Sequence, residues 1–215
     1  MDAKIQALVG PAILSDGVVD TVRMGKTGEL IVAELHGKYA LQTYRGNVFW
    51  ACMLAGVIFP APAATAANVM TLANPAGSGK NMNLISFDMV FTIIPGTPLT
   101  GLYGLYVNTN VVAAAVTGTA IVPVPGLLGG KTVPVGTPLS TSTVPAAPTL
   151  LLPFGQKVTG EVVTAFPLPA MPSFHIEFDG KVSLAPGSAI TPQQTVADTT
   201  NGSVICAFCW EEVAV

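Results

Sequence analysis

From Leu84 to Ile93 the side chains alternate in character. Ile85, Phe87, Met89, Phe91 and Ile93 fall on one phase, and Leu84, Ser86, Asp88, Val90 and Thr92 on the other. Successive side chains of a strand point to opposite faces, so a period of two predicts a half-buried β-strand. The same alternation sets Phe174, Ile176 and Phe178 against Ser173, His175, Glu177 and Asp179. Further strands are expected at Val69–Ala73, Gly101–Val107, Thr119–Val122, Thr149–Phe154, Lys157–Phe166, Lys181–Ala185 and Ser203–Val213. The apolar run Val48–Pro60 reads as one or two buried strands. Turn-forming pairs stand between these segments, among them Asn74-Pro75, Pro95-Gly96, Pro125-Gly126, Gly129-Gly130 and Pro186-Gly187. Glycine and proline supply 22 and 18 of the 215 residues, which argues against long helices. Strands at this spacing predict an all-β fold, a β-sandwich of jelly-roll-like topology.

Two stretches depart from the strand pattern. Residues 1–36 mix Lys4, Arg23 and Lys26 with Asp2, Asp16, Asp20, Glu29 and Glu34 and show little sustained periodicity. They read as an extended N-terminal arm, with Glu29–Leu35 as its one strand, expected to order only against a neighbouring chain. The sandwich domain is then 37–215, and it opens with a short helical turn over His36–Arg45 closed by Gly46. Thr117–Pro148 is too rich in Pro, Gly and Thr for a regular sheet, and long ordered loops are expected there.

Charge changes the picture most. Between Lys80 and Lys157 only Asp88 and Lys131 are charged, and the whole chain is 10% charged and 50% hydrophobic. Soluble domains average about 25% charged residues. A surface so poor in charge sticks to itself in water, so much of it is expected to be buried against other chains. A subunit of an assembly is the class this implies. The formal net charge of −3 lacks the basic footprint of a nucleic-acid binder, so no direct nucleic-acid partner is expected. A membrane-spanning helix needs about 20 apolar residues; Val48–Pro60 is shorter, contains Gly56 and follows Arg45, so no membrane partner is expected. The N-terminal MDAKIQALVGPAILSDG has Asp2 close to Lys4 and is broken by Gly10-Pro11, a poor signal peptide, which predicts synthesis in a cytoplasm without export through a secretion channel.

Candidate chemistry is thin. Asn74-Pro-Ala-Gly-Ser-Gly-Lys-Asn81 approaches a phosphate-binding loop but has Asn74 where the first glycine belongs and Asn81 where a hydroxyl belongs. A strand pattern, not a helix, follows it. The segment is therefore read as a turn, and Lys80 is expected to tolerate alanine within about 0.5 kcal/mol, as surface positions do. His175, Glu177 and Asp179 share a strand face, which suits a metal in principle, but alternation opposite Phe174, Ile176 and Phe178 demands polar residues there anyway. Cys206 and Cys209 have C-x-x-C spacing inside a strand, where residues three apart face opposite ways; buried small hydrophobes are the reading, with Cys52 a third thiol. No His sits in a recognisable triad setting and no G-x-S-x-G elbow occurs, so no enzyme and no cofactor are expected. Phe49, Trp50, Tyr103, Tyr106 and Trp210 lie in aliphatic surroundings and read as core, not as sugar platforms.

Three stretches carry a resemblance: Tyr44-Arg-Gly-Asn-Val-Phe-Trp50, Leu72-Ala-Asn-Pro-Ala-Gly-Ser-Gly-Lys-Asn81 and Trp210-Glu-Glu-Val-Ala-Val215. In order and spacing the chain resembles structural proteins of tailed bacteriophages, of the type that decorates or cements the head. The resemblance implies a β-sandwich virion component on the capsid exterior, a homotrimer without cofactor, whose partners are itself and the major capsid protein. Assembly contacts are expected at Arg23, Arg45 and the apolar loops 95–102 and 117–148. Two other readings stay open: a tail, collar or fibre component touching host glycans, and a phosphate-binding or hydrolytic enzyme built on Asn74–Asn81.

Overall fold

A computed structural model describes residues 37–58, 68–93, 101–109, 116–157, 173–195 and 203–215. The expected arm at 1–36 with its strand and Arg23, loop residues 95–100, and all but Lys157 of the strand expected at Lys157–Phe166 lie outside them. In chain order the elements are α1 (Ala40–Tyr44), β1 (Val48–Cys52), β2 (Val57–Ile58), β3 (Asn68–Asn74), β4 (Lys80–Ile93), β5 (Gly101–Asn108), β6 (Thr117–Ala120) and β7 (Val124–Pro125). They continue with β8 (Thr137–Thr143), β9 (Thr149–Lys157), β10 (Ser173–Glu177), β11 (Ser183–Leu184), β12 (Ser188–Gln194) and β13 (Ser203–Ala214). Leu41–Val215 form one compact unit, and the contacts below lie within it.

The strands make two antiparallel sheets packed as a sandwich. One runs β10-β4-β13-β1-β7, with β11 on β4 and β2 on β13; the other runs β6-β8-β3-β12-β5-β9. The pairs β1·β13, β3·β12, β4·β10 and β5·β9 are nested in sequence and fall in alternate sheets. A long hairpin wound in this way gives the orders β10-β4-β13-β1 and β3-β12-β5-β9, which is jelly-roll topology. β2, β6, β7, β8 and β11 are additions to this frame.

Between the sheets Phe49, Met70, Leu72, Phe87, Leu105, Phe208 and Trp210 are fully buried. Each contributes about 1.5–3 kcal/mol on leaving water. The core spans both layers: Phe87 of β4 meets Phe208 of β13 at 4.9 Å between ring centroids and Phe154 of β9 at 5.5 Å. No helix among the described residues is long and apolar enough to cross a membrane.

β4 departs from the simple alternation read in the sequence. Met82 and Leu84 are buried, and so are Phe87, Met89 and Phe91, so the inward phase changes between 84 and 87. The ladder to β13 steps from Trp210↔Leu84 to Cys209↔Ser86 and leaves Ile85 without an opposite residue. This is a β-bulge, and it turns both halves of a 14-residue strand toward one core. Leu84, expected on the outer phase, is therefore core, whereas Ile85 is half-buried. The bulge also seats the turn after β10: Ile85 O accepts from Phe178 N and Asp179 N, and Leu84 O accepts from Gly180 N.

Three strands were not foreseen: β8, β12 and the two-residue β7. β8 runs through the stretch expected to be loop and pairs with β3 on one side and β6 on the other. Its sequence, TPLSTST, shows no apolar alternation; β-branched Thr suits a pleated surface, and Thr71 Oγ1 and Ser142 Oγ share a buried hydrogen bond at 2.5 Å. β12 contains Pro192, which usually marks an edge. Here β3 pairs only with Ser188–Ile190, so Pro192 lies beyond that ladder while β5 continues alongside.

Candidate interaction surface

The sequence around Tyr44–Trp50 builds a compact corner. α1 ends at Tyr44, Asn47 N donates to Gln42 O, and Gly46 N donates to Thr43 O with Gly46 at φ +76°. This is a Schellman closure, which requires the left-handed conformation that glycine adopts freely. The Asn47 side chain reinforces it through Nδ2–H to Gln42 Oε1 at 2.9 Å, and Asn47 O accepts from Glu212 N. A Cβ at Gly46 would lie 2.5 Å from Thr132 Oγ1, so the missing side chain lets the 121–136 loop come close.

That loop is held by one buried carboxylate. Glu212 continues the inward phase of β13 and has no exposed side-chain surface. Its Oε1 accepts from Val135 N (2.8 Å), Gly136 N (2.9 Å) and Trp210 Nε1 (3.3 Å), and its Oε2 accepts from Val135 N (3.1 Å) and Lys80 Nζ (3.0 Å). A buried charge is tolerated when it is paired and hydrogen-bonded, and here both conditions hold. Lys80 is therefore not the dispensable turn residue expected from sequence: it is 31% exposed and closes the loop end against the strand. Asn74 explains the rest of that segment. Its Nδ2 donates to Lys80 O (2.8 Å) and Leu184 O (2.7 Å), fixing a corner where the chain passes from one sheet to the other. A strand follows this corner, as the sequence pattern indicated.

On this pinned scaffold the exposed face of the loop is apolar. Val122 (83%), Leu128 (82%) and Val133 (79%) stand out to solvent, with Val124 and Leu127 about half as exposed. β7 sets Val124 opposite Trp50, itself exposed on β1. Gly126 N donates to Val48 O, and a Cβ on Gly126 would come 3.2 Å from Thr43 Cγ2, so α1 adjoins the same edge with Leu41 and Tyr44 exposed. Arg45 follows Tyr44 and is exposed, as is Lys131 in the loop. A second run of exposed leucines, Leu150–Leu152, lies on β9 at an edge of the other sheet.

The remaining sequence candidates sit elsewhere. His175 of β10 lies directly opposite Asp88 of β4, its Nδ1 2.6 Å from Asp88 Oδ1 and its Nε2 3.7 Å from Glu177 Oε1. The hydrogen bond to Asp88, then that carboxylate's charge, raises the His175 pKa above its ordinary value, with Glu177 adding to it and slight desolvation opposing it. All three are at the surface. Asp179, expected on the same strand face, instead lies in the following turn at φ +52°. Among the described residues no group of three or more His, Cys, Asp or Glu is disposed to hold a metal ion.

Cys206 points into the core and Cys209 to the other face beside Trp50 and Ser86, as residues three apart must. All three cysteines are free thiols. Burial raises the Cys206 thiol well above its ordinary pKa and pushes Cys209 up to about 12; Cys52 is raised by partial burial and by the Asp88 charge. Glu212 escaped sequence reasoning altogether. Its signal was present: Val204, Cys206, Phe208 and Trp210 fix an apolar phase that Glu212 continues.

No protein-family model, no curated protein and no solved structure matches this chain.

Proposed function

We propose that this chain is a non-enzymatic virion protein that binds and stabilises the outside of a bacteriophage capsid. One observation carries the reading: a group of large apolar side chains, led by Val122, Leu128 and Val133, is held out to solvent on a loop fixed by a buried carboxylate. A monomer that lives in water rarely exposes an apolar patch beyond a few hundred Å². Holding one rigid lowers the ordering cost of docking it. The jelly roll is shared with viral capsid and lectin domains, which is support at the level of fold alone.

The mechanism is burial at seams. Each copy covers a junction between capsid subunits, and apolar surface leaving water contributes about 25 cal/mol per Å² before the cost of association is met. Many weakly bound copies then oppose internal pressure together. Major capsid protein and further copies of the chain are the partners, with no cofactor involved. Electron microscopy of virions from the same source, labelled with an antibody against this chain, tests the reading. Label over the head surface is expected. Label confined to tail, collar or fibres would replace it with the second virion reading, and unlabelled particles would remove both.

A further inference from the structure

We draw no further inference here: the strongest candidate, the run of exposed leucines Leu150–Leu152 on β9 at an edge of the six-stranded sheet, is an unpartnered apolar surface, and nothing in the structure shows what covers it.

Discussion

Glu212 places a carboxylate inside the sandwich, and its two oxygens meet two backbone N–H groups, an indole N–H and one ammonium. Glu212→Ala would leave Val135 N and Gly136 N without that acceptor and Lys80 without its partner. A loss of about 2–4 kcal/mol is expected by chemical denaturation, the range for breaking a buried hydrogen-bonded pair. Lys80→Ala is expected to cost more than a surface change, about 1–3 kcal/mol, since it leaves the buried carboxylate without its cation. His175 gives a different test. Its folded pKa is raised, so the folded state binds the proton more tightly than the unfolded chain. The stabilisation is full below the unfolded value and is lost as pH rises through the raised folded value. An NMR titration of the His175 ring is expected to show a midpoint above 6.5 that falls in Asp88→Asn; a midpoint at or below 6.5 in the wild type would contradict the contact. Of these residues, the outward His175 was legible from alternation. The Lys80–Glu212 pair was not, because its members lie 132 positions apart and only the wound hairpin brings them together.

Elements were read best where apolar residues dominate. β3, β5, β10 and β13 fell close to their expected bounds: β10 alternates as a half-buried strand does, whereas β3 and β5 are buried on both faces and read as short apolar runs. β4 was placed correctly and its phase held at Phe87, Met89 and Phe91 but not before them, since a bulge at Ile85 moves Leu84 into the core without altering composition. β8 and β12 were missed for another reason. Their faces carry Thr, Ser, Pro and Gln, which leave no apolar period to find, and β8 is tied to β3 by the Thr71–Ser142 hydrogen bond. The junction of loop and β8 offers a sharp test at Gly136, where a Cβ would stand 2.5 Å from Met82 Cε and 3.1 Å from Trp210 Nε1. The end of a methionine side chain yields, so Gly136→Ala is expected to cost about 1–3 kcal/mol in denaturation midpoints without abolishing the fold. Alternation along β1 and β13 makes a further prediction. Of the three thiols Cys52 alone is exposed, so a thiol reagent is expected to modify one cysteine quickly in the native chain, and Cys52→Ser should remove that fast phase. Fast modification persisting in that variant would place Cys206 or Cys209 differently.

For the whole molecule, the low charge that stood out in the sequence resolves into particular places. The 117–148 stretch is partly strand, tied down by Glu212, and its exposed apolar side chains stand at one edge of a jelly roll. Arg45 and Lys131 are exposed at that edge, and Asp88 and Glu177 lie at the opposite one together with His175 and Lys181. An exposed apolar edge held by a buried carboxylate suits attachment to a large protein surface, and it is the observation on which the proposed role rests. The most direct measurement adds purified chain to phage heads from the same source that lack it, and records bound copies together with the temperature at which the heads release DNA. Saturable binding and a higher release temperature are expected, both weakened by replacing Leu128 and Val133 with serine. Heads that bind no chain, or that bind it and release DNA at an unchanged temperature, would contradict the account.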